Sequence, residues 1–169
     1  MAALRLSRRV AVLGLLAACA RPYHEPDIPE YDGPPVTEVR VMKSDRRMEL
    51  RSGDDVLRRY RIALGQAPEG HKERRGDSRT PEGRYVVDRR NRASAYHLSL
   101  GLSYPDPHDI ARAQAAGRDP GGDIFIHGRG PRFGRIRGDW TDGCIAVRDR
   151  EIEEIWAMVP DGTPVVILP

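Results

Sequence analysis

Alternation of apolar and polar residues predicts that much of this chain forms β-strands. Residues 37–43 read TEVRVMK, in which Val39 and Val41 alternate with polar or charged neighbours, as in a half-buried strand. Residues 46–65 predict two further strands around a Ser-Gly-Asp-Asp turn at 52–55. Similar alternation, or a short apolar run, predicts the remaining strands at 83–90, 94–102, 122–128, 144–147 and 163–168. The predicted fold class is therefore mostly β.

Two segments carry the end signals of short helices. Asp106 is a candidate N-cap with Pro107 at the first helical position, and Gly117 suits the C-terminal stop. The second predicted helix follows Asp149, which we interpret as its cap, and its apolar residues recur at helical spacing. We interpret this apolar stripe as core rather than as a cofactor site. Its members are Ile152, Ile155, Trp156 and Val159.

Two segments rich in glycine, proline or charge predict loops. Residues 66–83 read QAPEGHKERRGDSRTPEG, and residues 130–140 read GPRFGRIRGDW. Long loops in compact domains are usually either functional or disordered. The segment 66–83 is therefore a candidate for a role near a functional site.

The first eighteen residues have the pattern of an export signal. Three arginines precede the apolar run 10–18, which is too short to span a bilayer as a helix. The sequence Leu-Ala-Ala-Cys at 16–19 resembles a bacterial lipoprotein box, so we predict that Cys19 is lipidated after removal of residues 1–18. Ordinary signal cleavage, which would leave Cys19 as a plain thiol, is the alternative. The expected location is the cell envelope or periplasm, with a lipid anchor in the outer membrane.

The charge balance changes once this leader is set aside. The chain has 169 residues, with 28 Lys and Arg against 25 Asp and Glu, a formal net charge of +3. Residues 1–18 hold three Arg and no acid, so the rest has a net charge of zero. We expect no nucleic-acid partner, since a basic domain is the usual sign of one. Membrane contact is expected through the lipid only. Residues 19–35, which contain five prolines, predict an extended tether, and residues 36–169 predict one domain, expected to be a monomer.

Cys144 is the one cysteine beyond residue 19. If Cys19 carries lipid, Cys144 has no partner for an intramolecular disulfide, and it is then either a reactive thiol or a buried, inert one. A zinc site would need ligands at close spacing, which His71, His97 and His127 do not offer with Cys144. We therefore expect no metal and no cofactor.

The positions of His127 and Cys144 suit nucleophilic catalysis. His127 ends one predicted strand and Cys144 begins another, and adjacent strand ends lie about 4.8 Å apart, so an imidazole can sit beside the thiol. Gly143 would let a substrate carbonyl approach the backbone, and the N–H groups of Gly143 and Cys144 would face an oxyanion. Gly128 removes a side chain that would block the cleft. Spacing alone leaves chance coexistence of the two residues open.

The segments IFIHG (124–128) and TDGCIAVRDREIEEIW (141–156) resemble the L,D-transpeptidase catalytic domain of the YkuD type. The segments GHKERRGDSRTPEGRYVVDRRN, AYHLSLGLSYP and PDGTPVVI extend the resemblance, over about 36–169, to short exported murein L,D-transpeptidase-like proteins. The resemblance implies a mostly-β sandwich with two short helices and a long loop covering the cleft. It also implies that Cys144 is the acyl-accepting nucleophile and His127 the general base and acid.

The same resemblance implies a substrate class. The expected substrates are the stem peptides of peptidoglycan, and the acyl group would pass to an amine or to water. An amine acceptor would give a cross-link or the attachment of a lipoprotein to murein, and water would give cleavage. A murein-binding lipoprotein without catalytic activity is the alternative from another class.

Two positions depart from the pattern of many family members. Asp142 stands where a histidine is common, and Ala146 stands where an arginine is common. Asp142 either orients His127 or is a solvated turn residue, and the missing positive charge could come from arginines in the 129–137 segment. For His97 a structural role competes with a place in the cleft. The candidate substrate-binding residues are Thr80, His97, Tyr104, Gly128, Arg129 and Asp142.

Overall fold

The computed structural model describes residues 25–130 and 137–169. The predicted signal peptide, the predicted lipidation of Cys19 and residues 131–136 of the glycine-rich loop lie outside these residues. The described elements are, in chain order, β1 (Glu38–Met42), β2 (Arg47–Ser52), β3 (Asp55–Arg61), β4 (Gly83–Asn91), β5 (Ser99–Leu102), α1 (Pro107–Ala115), β6 (Phe125–His127), β7 (Ile145–Ala146), α2 (Asp149–Met158) and β8 (Pro164–Leu168).

The described strands form one curled sheet in the order β3-β2-β1-β8-β4-β5-β6-β7, which confirms the mostly-β fold class with two short helices. We call β1 to β4 with β8 the long-stranded end, because its strands have five to nine residues. We call β5 to β7 the short-stranded end, because its strands have four, three and two residues. The chemistry predicted from the sequence lies at the short-stranded end.

Regular ladders hold the long-stranded end together. β1 pairs antiparallel with β2 and parallel with β8, which in turn pairs antiparallel with β4. The alternation predicted from the sequence is realised, since Val39, Val41, Met48 and Leu50 have no exposed surface. Each such side chain contributes about 1.5–3 kcal/mol to folding through burial. This end therefore supplies much of the hydrophobic core.

The short-stranded end depends on packing against α2. β5 pairs with β4 and with β6, and β6 pairs parallel with β7. α2 lies against β5 and β6, where Ile152 and Ile155 are completely buried. Ala146 also bridges to Ala63 across the chain, which ties β7 to the segment after β3. The ends of β6 and β7 are thereby fixed although their ladders are short.

Two of the differences from the predicted boundaries have a clear physical reason. The strand predicted at 94–102 is shorter, because the chain turns at 94–97 and β5 begins at Ser99; His97 has φ +79°, which no strand residue adopts. The N-cap of α2 is Arg148 rather than Asp149, and the Glu151 carboxylate accepts a hydrogen bond of 2.8 Å from the Arg148 N–H. Asp149 is the first helical residue, and its carboxylate accepts hydrogen bonds from the N–H groups of Arg129 and Gly130.

α1 begins as the sequence predicts. The Asp106 side chain accepts hydrogen bonds from the N–H groups of His108 and Asp109, and the Asp109 side chain accepts one from the Asp106 N–H. This reciprocal pair satisfies backbone donors that the first turn of a helix otherwise leaves without partners. Across residues 25–130 and 137–169, no helix has the length and apolar character needed to cross a bilayer.

The described part of the predicted tether lies against the domain. Ile28 and Tyr31 are partly buried against the hydrophobic core, and the Asp27 N–H donates a hydrogen bond of 3.0 Å to Glu153 Oε1 on α2. Residues 25–35 have no regular secondary structure. We call residues 25–35 the strap, because these contacts hold them against the domain.

Candidate active site

A tight turn at 141–144 presents Cys144 immediately before β7. The Thr141 hydroxyl donates to the Cys144 carbonyl at 2.7 Å and accepts from the Gly143 N–H at 3.2 Å. Gly143 has φ +125°, and a Cβ built there would lie 2.5 Å from the Arg79 carbonyl oxygen. Only glycine fits such a position. The Gly143 N–H, which the sequence predicts to face an oxyanion, donates to the Thr141 hydroxyl in this structure.

The loop between β3 and β4 supports this turn. Lys72 is 3% exposed, and its Nζ lies 2.7 Å from Asp77 Oδ1. Burial opposes ionisation of Asp77, but the bond from Lys72 and three backbone N–H groups outweigh it and lower the pKa of Asp77 to about 2. The loop predicted at 66–83 is therefore ordered by an internal ion pair, and the backbone of Arg79 lies against Gly143.

His127 lies at the end of β6 with a defined tautomer. Its Nδ1 is 2.6 Å from the Gly128 carbonyl oxygen. Since a carbonyl can only accept, Nδ1 carries the proton and Nε2 keeps a free lone pair. Burial lowers the pKa of His127, although the bond to Gly128 and the charge of Asp149 act in the opposite direction. The imidazole is thus neutral at neutral pH and suited to accept a proton.

Two aromatic rings contact the His127 ring. The Tyr96 ring centroid is 4.5 Å away with a tilt of 36°, and the Trp140 centroid is 5.7 Å away at 77°. Tyr96 and Trp140 are themselves 6.0 Å apart. The three rings pack together, with Trp140 edge-on to His127, and we call this group the ring stack. Its contacts limit rotation of the imidazole. Spacing in the sequence gives no signal for this arrangement.

Asp149 fixes the segment that follows His127. Its Oδ1 accepts hydrogen bonds from the N–H groups of Arg129 at 2.6 Å and Gly130 at 2.9 Å. The same segment contains the Gly128 carbonyl that sets the His127 tautomer. Asp149 is therefore a site residue that the sequence reasoning missed, because its place at the start of a helix was interpreted as a cap.

His127 and Cys144 line one cavity of about 280 Å³. The Cys144 thiol donates to the Asp123 carbonyl oxygen at 3.4 Å. Burial raises the pKa of Cys144, and the charges of Asp123 and Asp142 add to this, against a backbone hydrogen bond from Phe125 and the charge of Lys72. At neutral pH the site holds a thiol and a neutral imidazole. The remaining lining residues are Asn91, Ser94, Ala95, Tyr96, Ser99, Asp123 and Phe125.

Three of the predicted substrate-binding residues lie within the fold. Thr80 is completely buried, and its hydroxyl accepts from the Gly65 N–H at 3.3 Å. The Tyr104 hydroxyl donates to the Pro120 carbonyl at 2.9 Å. His97 is buried, with Nε2 2.7 Å from Glu153 Oε1. The structure does not place these three side chains on the cavity wall, which favours the structural interpretation already weighed for His97.

The other three predicted residues lie close to the site. Gly128 is required by packing, since a Cβ there would be 2.6 Å from an oxygen of Asp149 and 2.8 Å from the Tyr96 carbonyl. Arg129 is partly exposed, and its backbone bonds to Asp149. Asp142 is exposed, with the Ser78 hydroxyl 3.5 Å from Oδ1, which fits a solvated turn residue.

Arg89 is a second residue that the sequence reasoning missed. Its guanidinium lies 4.6 Å from the centroid of the Phe125 ring, and Nη2 lies 3.5 Å from Asp123 Oδ1. Phe125 and Asp123 both line the cavity, so the Arg89 cation lies beside it. Arg89 thus brings a positive charge to the cavity although Ala146 stands where an arginine is common. Arg132 and Arg135 lie outside the described residues. Among the described residues, no group of three or more His, Cys, Asp or Glu could hold a metal ion.

The described residues form a mostly-β sheet that brings a cysteine and a buried histidine to one cavity. The model of the L,D-transpeptidase catalytic domain, YkuD, matches residues 37–167, and the chain belongs to this family. YafK of Escherichia coli strain K12, a protein named for the same family, is 27% identical over 128 residues, which cover 72% of this chain and 46% of YafK.

Solved structures share the fold. The helical cell shape determining protein Pgp2 from Campylobacter jejuni has a TM-score of 0.62 at 25% identity, covering 85% of this chain and 50% of Pgp2. Bd1075 of Bdellovibrio bacteriovorus has a TM-score of 0.56 at 21% identity, covering 85% and 51%. The chain spans about half the length of these relatives.

Proposed function

We propose that the chain is a cysteine-dependent murein L,D-transpeptidase that acts on peptidoglycan stem peptides through an acyl-enzyme on Cys144. One observation carries the proposal: Nδ1 of His127 is bonded to the Gly128 carbonyl, which leaves Nε2 free, and His127 shares a 280 Å³ cavity with Cys144. Membership of the L,D-transpeptidase family supports the same reaction class.

The proposed acylation step uses groups that the cavity supplies. Nε2 of His127 takes the thiol proton as Sγ of Cys144 attacks the carbonyl carbon at the L-centre of a diamino-acid residue. The Cys144 N–H donates to the oxyanion. The C–N bond then breaks, and the imidazolium gives its proton to the departing amine, which leaves a thioester on Cys144.

In the second step an acceptor amine attacks the thioester. Nε2 takes the proton of the amine and returns it to the departing sulfur, so the thiol and the neutral imidazole are restored. Water in place of the amine would release a carboxylate by the same transfers. We propose that Arg89 receives a carboxylate of the stem peptide, because guanidinium groups pair well with carboxylates.

The raised pKa of Cys144 and the lowered pKa of His127 bear on when the thiolate forms. Neither residue is charged at rest, so thiolate forms as the proton passes to His127 during attack. Closure of the site by substrate would exclude water and strengthen the new ion pair. The enzyme is then expected to be slow toward small alkylating agents and faster toward a bound acyl donor.

Mass analysis of muropeptides after incubation with isolated murein sacculi tests the proposal. The wild-type domain should produce new cross-linked muropeptides, and Cys144→Ala should not. Shortened stems without cross-links would assign water as the acceptor. Identical muropeptide profiles for both proteins, with binding to sacculi retained, would show that the chain binds murein without catalysing a reaction. Release of a murein-attached lipoprotein is scored in the same samples.

We also propose that the protein is exported and anchored through Cys19. Residues 1–19 support this proposal by their basic start, short apolar run and Leu-Ala-Ala-Cys end. Labelling with radioactive palmitate in cells should mark the wild type and not Cys19→Ser. Equal labelling of the two, or labelling of neither, would reject the anchor.

A further inference from the structure

A buried hydrogen bond between two side chains begins at His97, the residue that follows Tyr96 of the ring stack. His97 Nε2 is 2.7 Å from Glu153 Oε1, and the two side chains are 4% and 10% exposed. Since a carboxylate only accepts, the His97 ring donates this bond. The contact joins the turn before β5 to α2, and the proposed chemistry does not use it.

The backbone of His97 is in an unusual conformation. Its φ of +79° lies in the left-handed region, which residues other than glycine rarely adopt unless their surroundings impose it. The His97 N–H bonds to the Ser94 carbonyl at 3.2 Å, and the Tyr96 N–H bonds to the Ser94 hydroxyl at 3.1 Å. The bond to Glu153 is therefore one of the contacts that hold an otherwise unfavourable turn.

This turn contacts His127 in two ways. The Tyr96 ring lies 4.5 Å from the His127 ring. The backbone of the turn also touches the segment after His127: a Cβ at Gly130 would lie 2.5 Å from the Ala95 carbonyl oxygen. Moving the turn would therefore displace both the ring stack and the segment containing the carbonyl that sets the tautomer.

The same carboxylate oxygen holds the N-terminal strap. The Asp27 N–H donates to Glu153 Oε1 at 3.0 Å, so one atom accepts bonds from both the strap and His97. Two donors on a single oxygen restrict the Glu153 rotamer more than either would alone. The strap thus helps to aim Glu153 at His97.

We propose that His97 and Glu153 are positioning residues for His127: they hold the 94–97 turn so that Tyr96 keeps the imidazole stacked with its Nε2 available to the cavity. This inference rests on the proposed function in so far as it assigns His127 the role of base. The positioning itself is a statement about the ring stack and has a readout of its own.

The next residue of α2 offers a matched control. Glu154 also carries a carboxylate with two bonds, from Arg58 Nε at 2.5 Å and from the Tyr60 hydroxyl at 2.9 Å. Its partners lie on β3, so these bonds tie α2 to the long-stranded end instead of to the turn. Glu154→Ala should therefore cost stability without moving the ring stack.

The test compares Glu153→Ala, Glu153→Gln and Glu154→Ala in the full domain. The readouts are the NMR shifts of the His127 ring, which Tyr96 and Trp140 perturb, and the rate of acylation by a carbapenem. Glu153→Ala should shift the His127 signals and slow acylation about tenfold or more at unchanged non-covalent affinity. Glu153→Gln retains an accepting oxygen and should stay within about threefold of the wild type.

Three results would overturn the inference. The first is a Glu153→Ala protein whose His127 signals and acylation rate match the wild type. The second is equal slowing in Glu153→Ala and Glu154→Ala with no change in the His127 signals. The third concerns His97→Asn, which decides the question if Glu153→Ala fails to fold. Asparagine tolerates the left-handed conformation, but its side chain is too short to reach Glu153. Unchanged His127 signals in that variant also reject the inference.

Failure of the proposed function is distinguishable from failure of this inference. A wild-type domain that forms no adduct with a carbapenem would reject the proposed function. The His127 signals of the variants would still show whether the pair positions the ring.

Discussion

The long-stranded and short-stranded ends of the sheet differ in what holds the backbone in place. At the long-stranded end, ladder hydrogen bonds and fully buried side chains such as Val41 and Leu50 do this work. At the short-stranded end, β6 and β7 are too brief to hold themselves, and the polar side chains of Thr141 and Asp149 bind the backbone on either side. Stability and site geometry are therefore largely separate, and variants should affect one without the other.

Among substitutions that keep both candidate catalytic residues, Gly143→Ala should have the largest effect on the site. A Cβ at this position would lie 2.5 Å from the Arg79 carbonyl oxygen, and φ is +125°, so the turn that presents Cys144 must move. We expect acylation by a carbapenem to slow at least about 100-fold. Stopped-flow or mass-based acylation kinetics measure this.

Gly53→Ala is the matched control at the long-stranded end. Its φ is +56°, but nothing lies within 4 Å of a Cβ there. It should cost about 1–2 kcal/mol of unfolding free energy and leave the acylation rate unchanged. A Gly143→Ala protein that acylates as fast as Gly53→Ala would contradict this account of the turn.

Leu50→Ala should lower the free energy of unfolding through the long-stranded end and leave the acylation rate unchanged. Leu50 is completely buried in β2, and such truncations lower the free energy of unfolding by about 2–5 kcal/mol. Leu168→Ala, at a side chain that is 40% exposed in β8, should cost much less. Urea denaturation measures both. A fall in the acylation rate of folded Leu50→Ala would show that the two ends are coupled after all.

A smaller effect is expected from Asp149→Asn, which removes the charge beside His127 and retains an oxygen that can accept from Arg129 and Gly130. The charge of Asp149 raises the pKa of His127, so its loss lowers that pKa further. The acidic limb of the pH–rate profile for acylation should move to lower pH. Asp161→Asn, at an exposed pair with Arg90, should leave the limb in place. A shift to higher pH in Asp149→Asn would refute the electrostatic role.

The smallest effect concerns Asp142. Its charge adds to the effect of burial in raising the pKa of Cys144, so Asp142→Asn should lower that pKa and speed alkylation by iodoacetamide. Because Asp142 is exposed, the gain should be about twofold at fixed pH. The wild-type rate should still be climbing with pH above neutrality, as for a protonated thiol. A plateau near pH 6–7 would indicate a resting thiolate instead.

Hydrophobic patterning predicted most of the long-stranded end. β1, β4 and β8 follow from alternation, and α1 follows from the cap at Asp106, because burial on one face leaves a direct trace in the sequence. The predicted strand ends picked out His127 and Cys144 as a candidate pair, and the resemblance supplied their catalytic roles. No comparison tests their roles, so those roles stay predictions.

The remaining features arise from three-dimensional contacts that leave no local pattern. The apolar alternation of SAYHLSLGL suggested one strand over 94–102. The first residues instead form a turn that contacts α2 and the segment after His127. The Gly143 N–H was expected to face an oxyanion, but in this structure it donates to the hydroxyl of Thr141, two residues earlier in the chain. Asp149 holds the segment after His127 by accepting a hydrogen bond from the N–H of Arg129, twenty positions earlier in the chain.

The central claim is that Cys144 is an acyl-accepting nucleophile activated by His127. Intact-protein mass spectrometry after incubation with a carbapenem tests it most directly, with Cys144→Ala and His127→Ala run beside the wild type. We predict that the wild type gains the mass of one carbapenem, that Cys144→Ala gains none, and that His127→Ala gains it at least about 100-fold more slowly. An unmodified wild type, or an undiminished adduct on Cys144→Ala, would contradict the claim.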